Sequence, residues 1–163
     1  MKKNILLILI YLFSQTISVY AEIPQDEFTI IDNNNQKTIK LGSKLSGVLD
    51  IYDDITIRGE KSYSNITFIE YTRNGIIFSI SKRAKIAKDA HILGILITSD
   101  NYYTKKKLSI GNTKDDVIKS YGIPDDIIGS YFIYCNSDYD HLELIFYFDD
   151  NGIIKQIEMY AGT

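Results

Sequence analysis

Two imidazoles and one thiol stand in this 163-residue chain, His91, His141 and Cys135, so nucleophilic chemistry would have to be built around them. Cys135 and His141 lie six residues apart, a spacing that one turn can close, and a thiol beside a base is how a thiolate nucleophile is made. Lone Cys and His residues in strand-like surroundings more often serve packing or sit on the surface. Carboxylates come in pairs at Asp53-Asp54, Asp125-Asp126, Asp138 with Asp140, and Asp149-Asp150. Each pair falls in a turn-like stretch, where aspartate caps its own backbone. Asp138, Asp140 and Glu143 offer oxygen donors of the kind calcium takes, without the spaced glycine and distal glutamate of a calcium loop. No phosphate-binding glycine loop and no zinc ligand set is present. The expectation is a chain without catalytic residues, metal site or cofactor. A rival reading, a secreted hydrolase or metal-dependent enzyme, rests on Cys135, His141 and the acidic turns.

The beginning of the chain predicts export. Lys2 and Lys3 precede an unbroken apolar run, Ile5 to Phe13, and Val19-Tyr20-Ala21 has the character of a signal-peptidase site. Nine helical residues rise only about 13 Å, against roughly 30 Å of hydrocarbon in a bilayer. Residues 1–21 are therefore expected to be a cleaved signal peptide, leaving 22–163 as one domain that does not span a membrane. Its predicted location is the periplasm or the exterior of the cell. Cleavage removes two lysines and takes the formal net charge from −3 to −5, so there is no electrostatic drive toward nucleic acid. Lys105, Lys106 and Lys107, beside Tyr102 and Tyr103, read instead as lysines guarding a strand edge. A single cysteine cannot close an internal disulfide, so packing must hold the domain together.

Self-similarity organises what remains. Ile39-Lys40-Leu41-Gly42 lies over Leu108-Ser109-Ile110-Gly111 at an offset of 69, with Val48, Leu49 and Tyr52 over Val117, Ile118 and Tyr121. Phe68 to Ile80 lies over Ile145 to Ile157 at an offset of 77, setting Asn74-Gly75 over Asn151-Gly152. Two matches in the same order predict a duplicated unit, about 37–99 and about 104–161.

In each unit apolar residues at helical spacing predict a short helix, the first with Ser43 as N-cap and the second with Asn112 or Thr113. Helices of two to three turns need a surface to lie on. Asn-Gly between apolar runs is the leading hairpin signal. Such corners pair Phe146 with Ile157, Leu144 with Met159, Ile69 with Ile80 and Tyr71 with Phe78, and turn Glu143 and Glu158 to the other face. Ala90 to Thr98 is apolar on both faces and Tyr131 to Cys135 is a further strand. The fold class expected is α+β, an antiparallel sheet with short helices on one face, in two tandem helix-plus-meander units.

The second unit runs from Leu108-Ser109-Ile110-Gly111 through Val117, Tyr121, Gly122 and Pro124, then into a strand pair carrying Phe148, Gly152 and Ile154. This resembles the helix-plus-sheet unit of the beta-lactamase-inhibitor proteins, which carry two in tandem, and of the small outer-membrane-assembly lipoproteins. The first unit keeps the pattern more loosely, with Gly47 inside its helix and no Gly-x-Pro after Tyr52. The resemblance implies the fold, short helices on an antiparallel sheet.

Tyr102, Tyr103, Tyr131, Tyr134 and Tyr139 flank predicted strands without fitting a core face, and tyrosine is enriched at interfaces. These five are the expected protein-binding residues, on the sheet face opposite the helices. The expected partner is another envelope or secreted protein.

Overall fold

The computed structural model describes residues 23–63, 66–82, 89–136 and 142–161. The predicted signal peptide, residues 1–21, lies outside the described residues, as do Asp138, Tyr139, Asp140 and His141.

The chain is α+β, with mostly antiparallel sheet. After a 3-10 turn at Gln25–Glu27 come β1 (Thr29–Asp32), β2 (Thr38–Lys40) and α1 (Leu45–Leu49). Four strands follow, β3 (Thr56–Tyr63), β4 (Ile66–Arg73), β5 (Ile76–Ser81) and β6 (Ile92–Ile97). Next are β7 (Tyr102–Thr104) and α2 (Lys114–Tyr121), and then β8 (Asp126–Ile128), β9 (Tyr131–Asn136), β10 (Leu142–Phe148) and β11 (Ile154–Ala161). Among the described residues eight strands make one sheet in the order β3-β4-β5-β6-β11-β10-β9-β8, and β2-β1-β7 make a small second sheet.

Both predicted hairpins fold in the expected register. Ile69 pairs with Ile80 and Tyr71 with Phe78; Phe146 pairs with Ile157 and Leu144 with Met159. Asn74 and Gly75 both take positive φ (40° and 83°), the conformation a type I′ corner needs. At the other corner only Gly152 does (φ 76°), and Asp149 N–H donates to the carbonyl of Ile153, so that turn is wider than predicted. Side chains of directly paired residues share a face. One row across six strands is therefore Tyr134, Leu144, Met159, Ile95, Phe78 and Tyr71, all buried. Leu45 and Val48 of α1, Val117 and Tyr121 of α2, and Ile30 and Ile39 of the small sheet belong to the same core. The helices and the small sheet thus share one face of the large sheet.

The two helices dock by the same bonds. Gly42 and Leu45 N–H donate to the carbonyls of Ile92 and Ala90, while Gly111 and Lys114 N–H donate to those of Ile154 and Gly152. Gly42 and Gly111 both have positive φ, 81° and 98°. The ladders β5–β6 and β10–β11 each break once, at Ser79/Ile80 and at Tyr147/Phe148. The spacing between the docked strand starts, Ile92 and Ile154, is 62 residues and not 77. Asn74-Gly75 joins the second and third strands after its helix, whereas Asn151-Gly152 joins the third and fourth. The offset of 77 therefore sets unlike hairpins over one another.

Capping divides the helices. Thr113 accepts from Asp116 N–H while the Asp116 carboxylate accepts from Thr113 N–H, a closed capping box. In α1 the cap is Lys44, with no side-chain bond, and Ser43 instead donates its hydroxyl to the carbonyl of Lys40. Leu49 and Ile118, both expected on buried faces, are more than a third exposed because these short helices touch the core with a single stripe.

Candidate protein-binding face

The opposite face of the large sheet has no covering layer among the described residues. One row across it reads Cys135, Glu143, Tyr160, Gly94, Ser79 and Glu70; the next reads Ile133, Ile145, Glu158, Leu96, Ile77 and Thr72. An antiparallel sheet with one solvated face usually alternates apolar and polar residues along each strand. Here β5, β6, β9 and β10 put Ile77, Leu96, Ile133 and Ile145 on the open side. Tyr131 and Ile128 add to it, 40% and 53% exposed, and the Tyr131 ring lies 4.5 Å from that of Tyr147.

Tyrosine–carboxylate rungs cross this face. Tyr147 donates its hydroxyl to Glu158 at 2.6 Å, and Tyr160 donates to Glu143. Burial, reinforced by these carboxylates, pushes both phenols above the ordinary tyrosine range, so both stay donors at physiological pH. Glu70 meets Lys61 at 2.8 Å and Arg58 at 3.6 Å. Between the rungs and Glu70 the face sinks into a concavity of about 580 Å³, with Gly94 and Ser79 between Phe68, Ile77, Leu93 and Leu96. A Cβ built on Gly94 would stand 3.4 Å from that of Ser79, so the glycine leaves room above the sheet and relieves no clash within it.

Of the tyrosines expected to form the binding surface, Tyr131 lies on it and Tyr139 is outside the described residues. The other three are corrections. Tyr102 and Tyr134 are 0% and 1% exposed and Tyr103 is 9% exposed. Tyr134 pairs with Leu144, which fixes it on the core side, where its ring meets Tyr121 and Phe146 and its hydroxyl donates to the carbonyl of Gly122. Tyr103 donates to Gln36 at 2.8 Å and carries Lys107 over its ring. Tyr102 belongs to a buried polar cluster that ties the small sheet to the large one. Arg73 donates to its hydroxyl at 2.9 Å, lies 3.4 Å from the fully buried Asp32, and stacks 4.1 Å above the ring of Tyr52. Tyr52 in turn donates to Asp32 at 2.8 Å.

Of the residues weighed for catalysis and metal binding, His141, Asp138 and Asp140 lie outside the described residues, and several of the others are engaged locally. His91 is tied through Nδ1 to the carbonyl oxygen of Gly42 at 2.6 Å. Burial pushes the Cys135 thiol up, helped by Glu143, Asp125 and Asp126, which is the wrong direction for a nucleophile. Asp125 accepts from Cys135 N–H, Asp126 from Ile127 N–H, and Asp149 from Asn151 and Ile153 N–H. Among the described residues no three His, Cys, Asp or Glu side chains gather to hold a metal ion. Lys105 pairs with Asp26, and Lys106 lies over Tyr121.

Sequence reasoning missed Phe68, Ser79, Gly94, Leu96, Glu158 and Tyr160 as a group. The available signal was Ala90 to Thr98, apolar on both faces with a glycine at its centre. No family model matches this chain, and no curated protein matches it. Among solved structures, a cysteine-rich secretory protein from Staphylococcus aureus is similar at 10% identity and a TM-score of 0.42. The match covers 74% of this chain and 43% of that protein, so this chain spans less than half of its length.

Proposed function

We propose that this chain is an exported, non-enzymatic binding domain that meets another envelope or secreted protein through the open face of its large sheet. The observation that carries the reading is the apolar character of that face. Ile77, Leu96 and Ile133, all part-exposed, stand with the buried Ile145 where a merely solvated sheet would carry polar side chains. Contact, not catalysis, is also the reading favoured by the raised thiol of Cys135 and the tethered ring of His91.

The finer architecture belongs to the same proposal. Residues 37–99 and 104–161 are two related helix-plus-meander units meeting at β6 and β11. Supporting this are the matched docking bonds of Gly42 and Gly111 and the matched ladder breaks. The seam adds a third sign. Leu96 faces Glu158 across it, with Ile97 opposite Ile157 and Ile95 opposite Met159, the register a local two-fold axis would produce. The second unit resembles the helix-plus-sheet unit of the beta-lactamase-inhibitor proteins, which carry two such units in tandem.

The test is capture by the full chain in its own cell, compared between Leu96→Arg on the open face and Ile118→Arg on the helix surface. A partner held by the unaltered chain should be lost with Leu96→Arg and kept with Ile118→Arg. Retention by Leu96→Arg together with loss by Ile118→Arg overturns the proposal.

A further inference from the structure

We propose that the concavity at Gly94 and Ser79 receives a short segment of the partner in which lysine or arginine stands beside an apolar residue. This rests on the open face being the contact surface and names the chemistry it recognises.

The first argument is that the fold does not require the concavity. The row Glu70–Ser79–Gly94 across β4, β5 and β6 corresponds, through the matching registers and ladder breaks, to Tyr131–Tyr147–Gln156 across β9, β10 and β11. In the second half those positions are filled by two rings tilted against each other and a long amide. In the first half a hydroxymethyl and a hydrogen replace the bulk, and Glu70 is drawn aside to Lys61 and Arg58. The same backbone is closed over on one side of the seam and open on the other. Room of about 580 Å³ exceeds what one side chain fills and lies in the range of about 300–1,000 Å³ typical of ligand sites.

The second argument is charge. Glu70 already has its two cations. Glu158, which lines the concavity, and Glu143 beside it meet only tyrosine hydroxyls and no cation among the described residues. Each carboxylate therefore keeps spare acceptor positions. Phe68, Ile77, Leu93 and Leu96 line the same space, as does Lys61, which is held to Glu70 at 2.8 Å. Apolar walls with an uncompensated carboxylate suit a side chain with an alkyl stem and a cationic head, since the stem can lie on Leu96 while the head reaches Glu158. The chain's own negative balance favours the same partner at longer range.

The experiment titrates the purified exported chain with heptapeptides of alternating lysine and leucine, glutamate and leucine, or lysine and serine, following amide NMR shifts of Ser79, Gly94 and Leu96. The lysine–leucine peptide should shift these amides saturably and bind about tenfold or more tightly than either control, a difference of about 1.4 kcal/mol. Its affinity should fall as salt is raised. Ser79→Tyr, which restores the second-half residue, should abolish the shifts. Glu158→Gln should keep the fold and erase the preference for lysine over glutamate, so the proposal does not depend on Ser79→Tyr folding well. Equal binding of the glutamate peptide, or lysine–leucine binding that leaves Gly94 unmoved, overturns this assignment. If the Leu96→Arg and Ile118→Arg comparison still points to the open face, only the occupant's chemistry is wrong; if it too fails, the underlying reading falls with it.

Discussion

The two halves of the large sheet have matching helix-docking bonds and one matching ladder break each, and differ in what lies beneath and above them. On the helix side, the row that reads Arg73 and Tyr71 in β4 becomes Tyr134 and Phe132 in β9. Arg73 therefore stacks on Tyr52 of the first half, where Tyr134 meets Tyr121 of the second. In one half a part-buried arginine held between Asp54 and the buried Asp32 stands in the place of an aromatic cluster in the other. On the open side the relation is reversed: the second half is packed with tyrosine and the first is hollow. The backbone register fixes the scaffold, and side-chain size and charge at equivalent places then divide the work.

That contrast has direct consequences for stability. Asp32 is wholly buried and accepts from Tyr52 and Asn34 N–H, while Arg73, 3.4 Å away, keeps its closer partner Asp54, so Asp32→Ala strands the Tyr52 hydroxyl and should cost about 2–3 kcal/mol in urea denaturation. Within the same series Tyr52→Phe removes a 2.8 Å bond to that buried carboxylate and should cost about 1–3 kcal/mol. Tyr121→Phe loses a 3.4 Å contact with Glu27 and an interaction with Thr104, neither a short bond to a wholly buried carboxylate, and should cost about 1 kcal/mol or less. Equal losses for the two tyrosines would show that the halves are not specialised in this way.

A smaller effect separates the helices. Thr113→Ala opens the capping box of α2 and should cost about 1 kcal/mol, whereas Lys44→Ala in α1 removes no capping bond and should cost nearly nothing. Thermal or urea unfolding of the two variants side by side sharpens the comparison. As pH falls through the lowered pKa of Asp116, the cap of α2 should weaken and that of α1 should not, because this carboxylate stabilises the fold only while charged.

Local signals carried the sequence reading as far as the hairpins and the helix faces. Asn74-Gly75 and Asn151-Gly152 each reverse the chain over a handful of residues, and alternation then fixes the register. The same locality explains the misplaced repeat offset, because Asn-Gly meets the demands of a tight corner wherever it falls and does not say which hairpin it closes. Tyr102 was misread because β7 pairs with β1, about 70 residues earlier, and no local turn connects them. Tyr134 was misread because its side is set by pairing with Leu144 across residues 137–141, which contain acidic turn residues but no Asn-Gly corner to fix the register. The concavity was hidden for a related reason. Ser79 and Gly94 are unremarkable in their own strands and acquire meaning only when β5 and β6 lie side by side.

Photo-cross-linking in the intact cell tests the contact face most directly. A photoreactive residue is placed in turn at Ile77 and Ile133 on the open face and at Lys119 on the outer surface of α2. The account predicts adducts to a common protein from Ile77 and Ile133 and none from Lys119. Adducts from Lys119 with none from the open face would contradict it.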